Sequence, residues 1–227
     1  LHVIRNADLN ELLNRPRTGA APETELQVKG LRPRRLLVRA AALHEEDGSV
    51  LYTTSHGGAY QSRINPRSGE LLGEPKVIWA GTGGQYPEGP HLYRRGEWYY
   101  LLLSEGGTEY GHMITMARSK SPWGPFEPCA RNPLLSHRSH KSPIQGLGHA
   151  DLVDTPDGHW FAVALGFRPN GYPPCYHLGR ETFLVPVTWA EDGFPTFGSQ
   201  GRLQLEEETQ LELEPVPEPA PRDEFTS

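Results

Sequence analysis

Between residues 49 and 190 short apolar runs alternate with polar breaks, and no stretch keeps a 3.6-residue apolar rhythm over three turns. Six segments read as strands: SVLYTTS (49–55), AYQSRI (59–64), EWYYLLLS (97–104), HMITMARS (112–119), HWFAVALGF (159–167) and ETFLVPVTW (181–189). Each is rich in aromatic or β-branched side chains and is bounded by Gly, Pro, Asp or Asn, the punctuation of antiparallel strands. The two ends differ. ADLNELLNRP starts like a helix, and KGLRPRRLLVRAAAL predicts a short amphipathic helix with Lys29, Arg32, Arg34 and Arg35 in water. The tail EEETQLELEPVPEPAPRDEFTS is acidic and proline-rich and reads as an extended linker.

A loose repeat overlies the strands. A turn ending in glycine opens DGSVLYTTS, RGEWYYLLLS and DGHWFAVALG, at Gly48, Gly96 and Gly158. The spacing, roughly 50 to 60 residues, is close to the length of a four-stranded propeller blade. A β-sandwich would show the same strand density, so the fold class at this point is all-β.

Composition narrows the function classes. Of 227 residues, 36% are hydrophobic and 22% charged, ordinary for a chain with a real core. The 25 glycines and 22 prolines agree with many short elements joined by turns. A net charge of -6 gives no reason to expect a nucleic acid partner. No apolar run approaches the roughly 20 residues that span a bilayer, so no membrane partner is expected. The opening LHVIRNADLN has no apolar core of a signal peptide, and the compartment, secreted or cytoplasmic, stays open. Cys129 and Cys175 cannot build a disulfide framework and are expected as unpaired, partly buried thiols.

Four places could carry chemistry. Glu88 lies in TGGQYPEGPHLY, where Pro87, Gly89 and Pro90 oppose regular pairing. It is either a turn glutamate or a carboxylate presented at a rim, with Tyr86 and Tyr93 positioned to desolvate it as a general acid requires. EGGTEYGH holds Glu105, Glu109 and His112, which read as polar loop groups or supporting partners. GLGHADLV sets His149 and Asp151 on one strand face by alternation. A metal site needs more ligands than one His and one carboxylate, so His149 is read as bridging polar groups at the top of a channel, with direct metal ligation as the alternative. In LGRETF, Arg180 beside Glu181 could offer fixed donors to sugar hydroxyls or form a structural ion pair. No nucleophile elbow, phosphate loop or dinucleotide fingerprint occurs, which sets aside serine hydrolases, kinases and simple dehydrogenases.

In order along the chain, GTGGQYPEGPHLYRRGEWYYLLLSEGGTEYGHMITMARSKSPWGPFEPCARNPLL, GLGHADLV and HLGRETFLVPVTWAEDGFP resemble glycoside hydrolase family 43. The similarity runs from about residue 47 to residue 203 and is greatest to its β-xylosidase and α-L-arabinofuranosidase branch. The resemblance implies a five-bladed β-propeller that hydrolyses with inversion, using a base Asp, a pKa-tuning Asp and an acid Glu. It implies that Glu88 is the acid, that His149 serves a subsite and the central channel, and that Arg180 contacts substrate or a carboxylate. The implied partner is a xylo- or arabino-oligosaccharide. No cofactor is required, and the central channel leaves room for calcium.

The chain also departs from that pattern. Asp8, the single Asp before Asp47, does not match the base motif, and Arg39, Ala40 and Ala41 stand where the second Asp motif should fall. Glu45 and Glu46 are poor substitutes, since they fall in the following turn. The expectation is therefore a propeller incomplete in its first two blades: residues 1–46 as a partial blade and basic segment, 47–203 as blades, 204–227 as a linker. The alternatives to a glycosidase are a non-catalytic carbohydrate-binding propeller and a fragment without function.

Overall fold

Strands supply all the regular structure of the described residues, 2–5 and 40–209 of this computed structural model. The helix expected at ADLNELLNRP, Asp8, Arg39, the basic residues Lys29, Arg32, Arg34 and Arg35, and the tail from residue 210 lie outside them. A short sheet pairs β1 (His2–Arg5) antiparallel with β15 (Glu206–Thr209), so the first residues of the expected linker are a strand.

Three further sheets repeat one plan, an antiparallel meander in sequence order. The first holds β2 (Ala40–His44), β3 (Val50–Ser55), β4 (Ala59–Ile64) and β5 (Lys76–Trp79). The second holds β6 (Glu88–Arg95), β7 (Trp98–Glu105) and β8 (Met113–Ser119). Its outer edge is shared by two short pieces, β9 (Glu127–Pro128) and β10 (Leu135–Ser136). The third holds β11 (Gln145–Asp154), β12 (Trp160–Phe167), β13 (Glu181–Trp189) and β14 (Pro195–Phe197).

All six strands read from the sequence form, as β3, β4, β7, β8, β12 and β13. Gly48, Gly96 and Gly158 sit in the hairpins that join the first strand of each sheet to its second, at φ of +80°, +61° and +87°. Nothing lies near the place of a Cβ at any of them, so the backbone, not crowding, selects glycine. One expectation fails here. The end of the run read as an amphipathic helix is β2, because the edge of β3 takes up its backbone in register from Ala40↔Thr54 to His44↔Val50. Pairing across a sheet outweighs the helical preference of three alanines.

The core has two layers, and β7 feeds both. Tyr99, Leu101 and Leu103 pack toward the first sheet with Leu51, Ile78 and Leu92. Their neighbours Tyr100 and Leu102 pack toward the third sheet with Phe183, Val185 and Phe197. Successive side chains on a strand point to opposite faces, so a strand between two layers reads as a continuous apolar run. Cys129 is buried in the second layer, whereas Cys175 is exposed; both thiols are free.

Polar ties join the second and third sheets. The Tyr93 hydroxyl donates to Asp151 Oδ1 at 2.6 Å and accepts from the Leu152 amide at 2.9 Å. Burial, with Asp151 adding to it, holds the Tyr93 phenol well above its ordinary pKa. His91, stacked on Tyr93, is pushed below its ordinary pKa by burial, an effect that Asp151 partly opposes. The buried His137 accepts from the Leu203 amide at Nε2 (3.0 Å), so its Nδ1 carries the proton toward the Ile144 carbonyl (2.7 Å). Burial lowers its pKa too.

Two outcomes follow from this packing. Leu101→Ala and Leu102→Ala, on opposite faces of one strand, should each destabilise the protein by about 2–5 kcal/mol in urea unfolding. Stability should also fall as pH drops below about 6.5, because unfolded histidines then take protons that native His91 and His137 resist. The slope is at most about 1.4 kcal/mol per pH unit for each histidine. A flat unfolding midpoint between pH 7.5 and pH 5.5 would contradict this.

Candidate active site

Glu88 opens β6, half-buried, on the strand that starts the second sheet's meander and forms one edge of it. The kinked segment read from the sequence is thus part of the sheet, and its irregularity is a β-bulge. Glu88 pairs with Ser104, and the register then skips to His91↔Leu102. Three steps on β6 meet two on β7, so Glu88 loses the parity it would have in a regular strand. Without the bulge it would share the face of Leu92 and point toward the first sheet. With it, Glu88 shares the face of Ser104, His91 and Tyr93, toward the third sheet. Gly89 makes this turn at φ +55°.

That face meets β11. The Ser104 hydroxyl accepts the His149 amide at 2.6 Å. A Cβ placed on Gly89 would stand 2.9 Å from both Cε1 and Nε2 of His149, so the imidazole lies directly on the glycine beside Glu88. His149 holds φ +49°, a left-handed conformation that side chains rarely adopt, next to a bulge between Gly148 and Asp151. The two glycines before it are required by crowding. The ring of Phe167 lies against Gly146 and that of His112 against Gly148, at distances no Cβ would allow. Asp151 follows, exposed, on the far side of that bulge, so the alternation expected to set it on one face with His149 is interrupted between the two.

Arg180 reaches the same end of the sheets from the turn before β13. Its Nη1 donates to Thr108 Oγ1 at 3.2 Å. Thr108 follows Gly107, over which the Tyr86 ring is placed, and so the 106–108 loop links Arg180 to the segment entering Glu88. The carboxylate expected to hold Arg180 does not. Glu181 takes Arg168 instead, with Nη2 at 2.6 Å and Nε at 3.0 and 3.1 Å from its two oxygens. Glu181 starts β13 opposite Gly166 and turns to the arginine just beyond β12.

Tyr86, expected to desolvate Glu88, is itself 71% exposed. Glu105, read as a loop group, is 0% exposed. Its carboxylate accepts Thr82 N at 2.9 Å, Gly84 N at 2.7 Å, Thr115 Oγ1 at 2.5 Å and Thr82 Oγ1 at 3.1 Å. His112 is buried too, with Nδ1 2.9 Å from the Gly146 carbonyl, while Glu109 stays exposed in the loop. Ser104, Thr82 and Thr115 went unnoticed in the sequence; the polar ending of the apolar run LLLSE was the one signal available. Glu45 and Glu46 bond Tyr99 and Arg94, at the opposite end of β6. Six residues of strand, about 20 Å, separate Arg94 from Glu88. Among the described residues no three His, Cys, Asp or Glu side chains gather to hold a metal. No helix among them is long and apolar enough to cross a membrane.

The family described as Glycosyl hydrolases family 43 matches residues 40–195. A non-reducing end α-L-arabinofuranosidase of Bacteroides ovatus is 46% identical over 162 residues, which is 70% of this chain and 30% of that protein. The solved GH43 protein BlXynB of Bacillus licheniformis superposes with a TM-score of 0.71 at 40% identity, covering 74% of this chain and 33% of its own. A xylan β-1,4-xylosidase from Bacillus halodurans C-125 gives a TM-score of 0.70 at 34% identity, covering 78% of this chain and 37% of its own. The chain therefore spans about a third of the length of these relatives. With the match running from residue 40 to residue 195, this chain belongs to glycosyl hydrolases family 43.

Proposed function

We propose that the chain carries the general-acid side of an inverting glycoside hydrolase site for β-xylosides or α-L-arabinofuranosides, with Glu88 as the acid. The observation that carries this reading is the Glu88–Gly89 bulge seated against the His149 imidazole. Glu88 gives its proton to the glycosidic oxygen as the bond to the anomeric carbon breaks. A water activated by a second carboxylate attacks the opposite face, and no cofactor enters. His149 and Arg180 supply donors to sugar hydroxyls, the planar guanidinium being suited to paired oxygens. The names of the relatives, an arabinofuranosidase and a xylosidase, support a xylan-type oligosaccharide as substrate. The three meander sheets, which run from Ala40 to Phe197, are proposed as consecutive blades of a five-bladed propeller. Residues 1–46 then hold the basic segment and the opening strand, β2, of the first of these blades, and the linker proposed for 204–227 carries β15 near its start.

A sugar-binding propeller without turnover is the second reading. It is favoured by Ala40 and Ala41, which occupy β2 where the resemblance calls for an Asp motif.

Hydrolysis of nitrophenyl β-xyloside, nitrophenyl α-L-arabinofuranoside and xylobiose tests both. Glu88→Ala should lower kcat/KM on xylobiose by about 10²- to 10⁴-fold, the usual worth of a general acid. The loss on nitrophenyl glycosides should be smaller, because nitrophenolate leaves without a proton. Undiminished xylobiose hydrolysis by Glu88→Ala sinks the assignment, and xylose binding without hydrolysis by the parent chain selects the second reading. Gly89→Ala, which forces a methyl into the His149 ring, should cost about a hundredfold in kcat/KM or in xylose affinity.

A further inference from the structure

We infer that Glu105 is a positioning residue for the acid: its buried carboxylate fixes the 81–85 loop and thereby the place and direction of Glu88. This rests on the reading of Glu88 as the proton donor.

The loop leads from β5 of the first sheet into β6, and its backbone is wrapped around the Glu105 side chain. A Cβ on Gly84 would meet Glu105 Oε2 at 2.7 Å and Met113 Cε at 2.6 Å, and one on Gly81 would meet Glu105 Cδ at 2.9 Å. Gly81 and Gly83 stand at φ +84° and +98°, so the glycines are what let the chain close on the carboxylate. Thr82 and Gly84 both donate backbone N–H to it, and Thr82 adds its hydroxyl. The fourth donor, Thr115, comes from β8 and faces the same side as Glu105. Next to these bonds, Gly106 N donates to the Gln85 carbonyl at 2.6 Å.

Every bonded partner of the Glu105 carboxylate is uncharged. A carboxylate buried without a cation is an expensive way to fill space; an apolar side chain of similar size would pack as well. What it supplies is a set of acceptors that match the orphan N–H groups of a glycine loop. The tether from that loop to the acid is short. Between Gln85 and Glu88 stand only Tyr86, at φ +53°, and Pro87, whose ring locks its own φ. Beyond the acid, β6 is fixed again from His91 onward by its ladder to β7. Glu88, itself paired with Ser104, therefore lies between the ladder that resumes at His91 and the loop that Glu105 holds.

The test uses the full 227-residue chain. Glu105→Gln keeps the shape but turns an NH₂ toward donors. Thr115→Val removes one donor from β8 without touching the loop. Amide exchange at Thr82 and Gly84 should rise at least about tenfold in Glu105→Gln, while Leu101 and Leu103 in the ladder stay within about twofold. The carboxyl carbon resonance of Glu88, read from ¹³C-labelled protein, should shift or broaden. On xylobiose kcat should fall about tenfold or more with KM nearly constant, the mark of misplaced chemistry. Thr115→Val should move all three the same way by less, and it decides the matter if Glu105→Gln does not fold.

An unmoved Glu88 resonance beside freely exchanging Thr82 and Gly84 overturns the proposal, since Glu105 would then staple the loop without setting the acid. Equal acceleration at Leu101 and Leu103 also overturns it, by making Glu105 a general stabiliser. If the parent chain neither binds nor hydrolyses sugar, the functional reading fails by itself, and the Glu88 resonance still decides what Glu105 positions.

Discussion

At the end of β7 two adjacent polar residues are buried on opposite faces of one strand, and the site is organised around that constraint. Ser104 faces the third sheet and accepts the His149 amide, and Glu105 faces the first sheet and accepts the Thr82 and Gly84 amides. A buried polar group must be bonded or it destabilises the fold. Here Ser104 finds its bond on β11 of the third sheet, and Glu105 finds its bonds on the loop that leads into β6 and on Thr115 of its own sheet. The apolar residues before them, from Tyr99 to Leu103, hold β7 rigidly between both core layers. Rigid packing thereby becomes a fixed geometry at the strand's polar end, as positioned chemistry requires.

The site draws on residues far apart in sequence for the same reason. Glu88 comes from β6, His149 from β11 and Arg180 from the turn before β13, and none of the three is adjacent to another in one sheet ladder. What joins them are short bridges of glycine and hydroxyl: Gly89 under His149, Ser104 behind it, and Gly107–Thr108 between Tyr86 and Arg180. Small residues serve there because backbone and ring must come closer than a Cβ permits.

The sequence made the apolar strands legible and the polar bridges illegible. β7 and β13 are continuous or alternating apolar runs, and periodicity finds such runs directly. β6 was concealed because Gly89 and Pro90 are poor strand residues, and the signal they emit, a kink, is the same for a loop and for a bulge. β2 was hidden by its alanines, whose strand state depends on the free edge of β3. In the site, Glu88 and His149 stood out from their surroundings. Arg180 did too, but its neighbour in sequence, Glu181, proved a poor guide to its partner in space. Glu105 looked like a loop residue because four of its bonding atoms lie on Thr82, Gly84 and Thr115, distances along the chain that no local pattern spans.

The bulge at Glu88 shows why a local irregularity can matter more than the regular sheet around it. In a uniform strand, residues 88, 90 and 92 share a face, and Leu92 belongs to the layer against the first sheet. Continued at the register of Leu92↔Leu101, the strand would set a carboxylate on that face directly opposite Glu105, two like charges side by side. One extra residue moves Glu88 to the other face, beside His149, while leaving Leu92 in its core place. The strand can then serve the core at one end and chemistry at the other. Gly89 permits the turn, Pro87 stiffens the approach to it, and the Glu105 carboxylate holds the loop that delivers the chain to that point. The sequence YPEG thus encodes a switch of face, and the address of Glu88 in the fold follows from that switch rather than from the strand's own alternation.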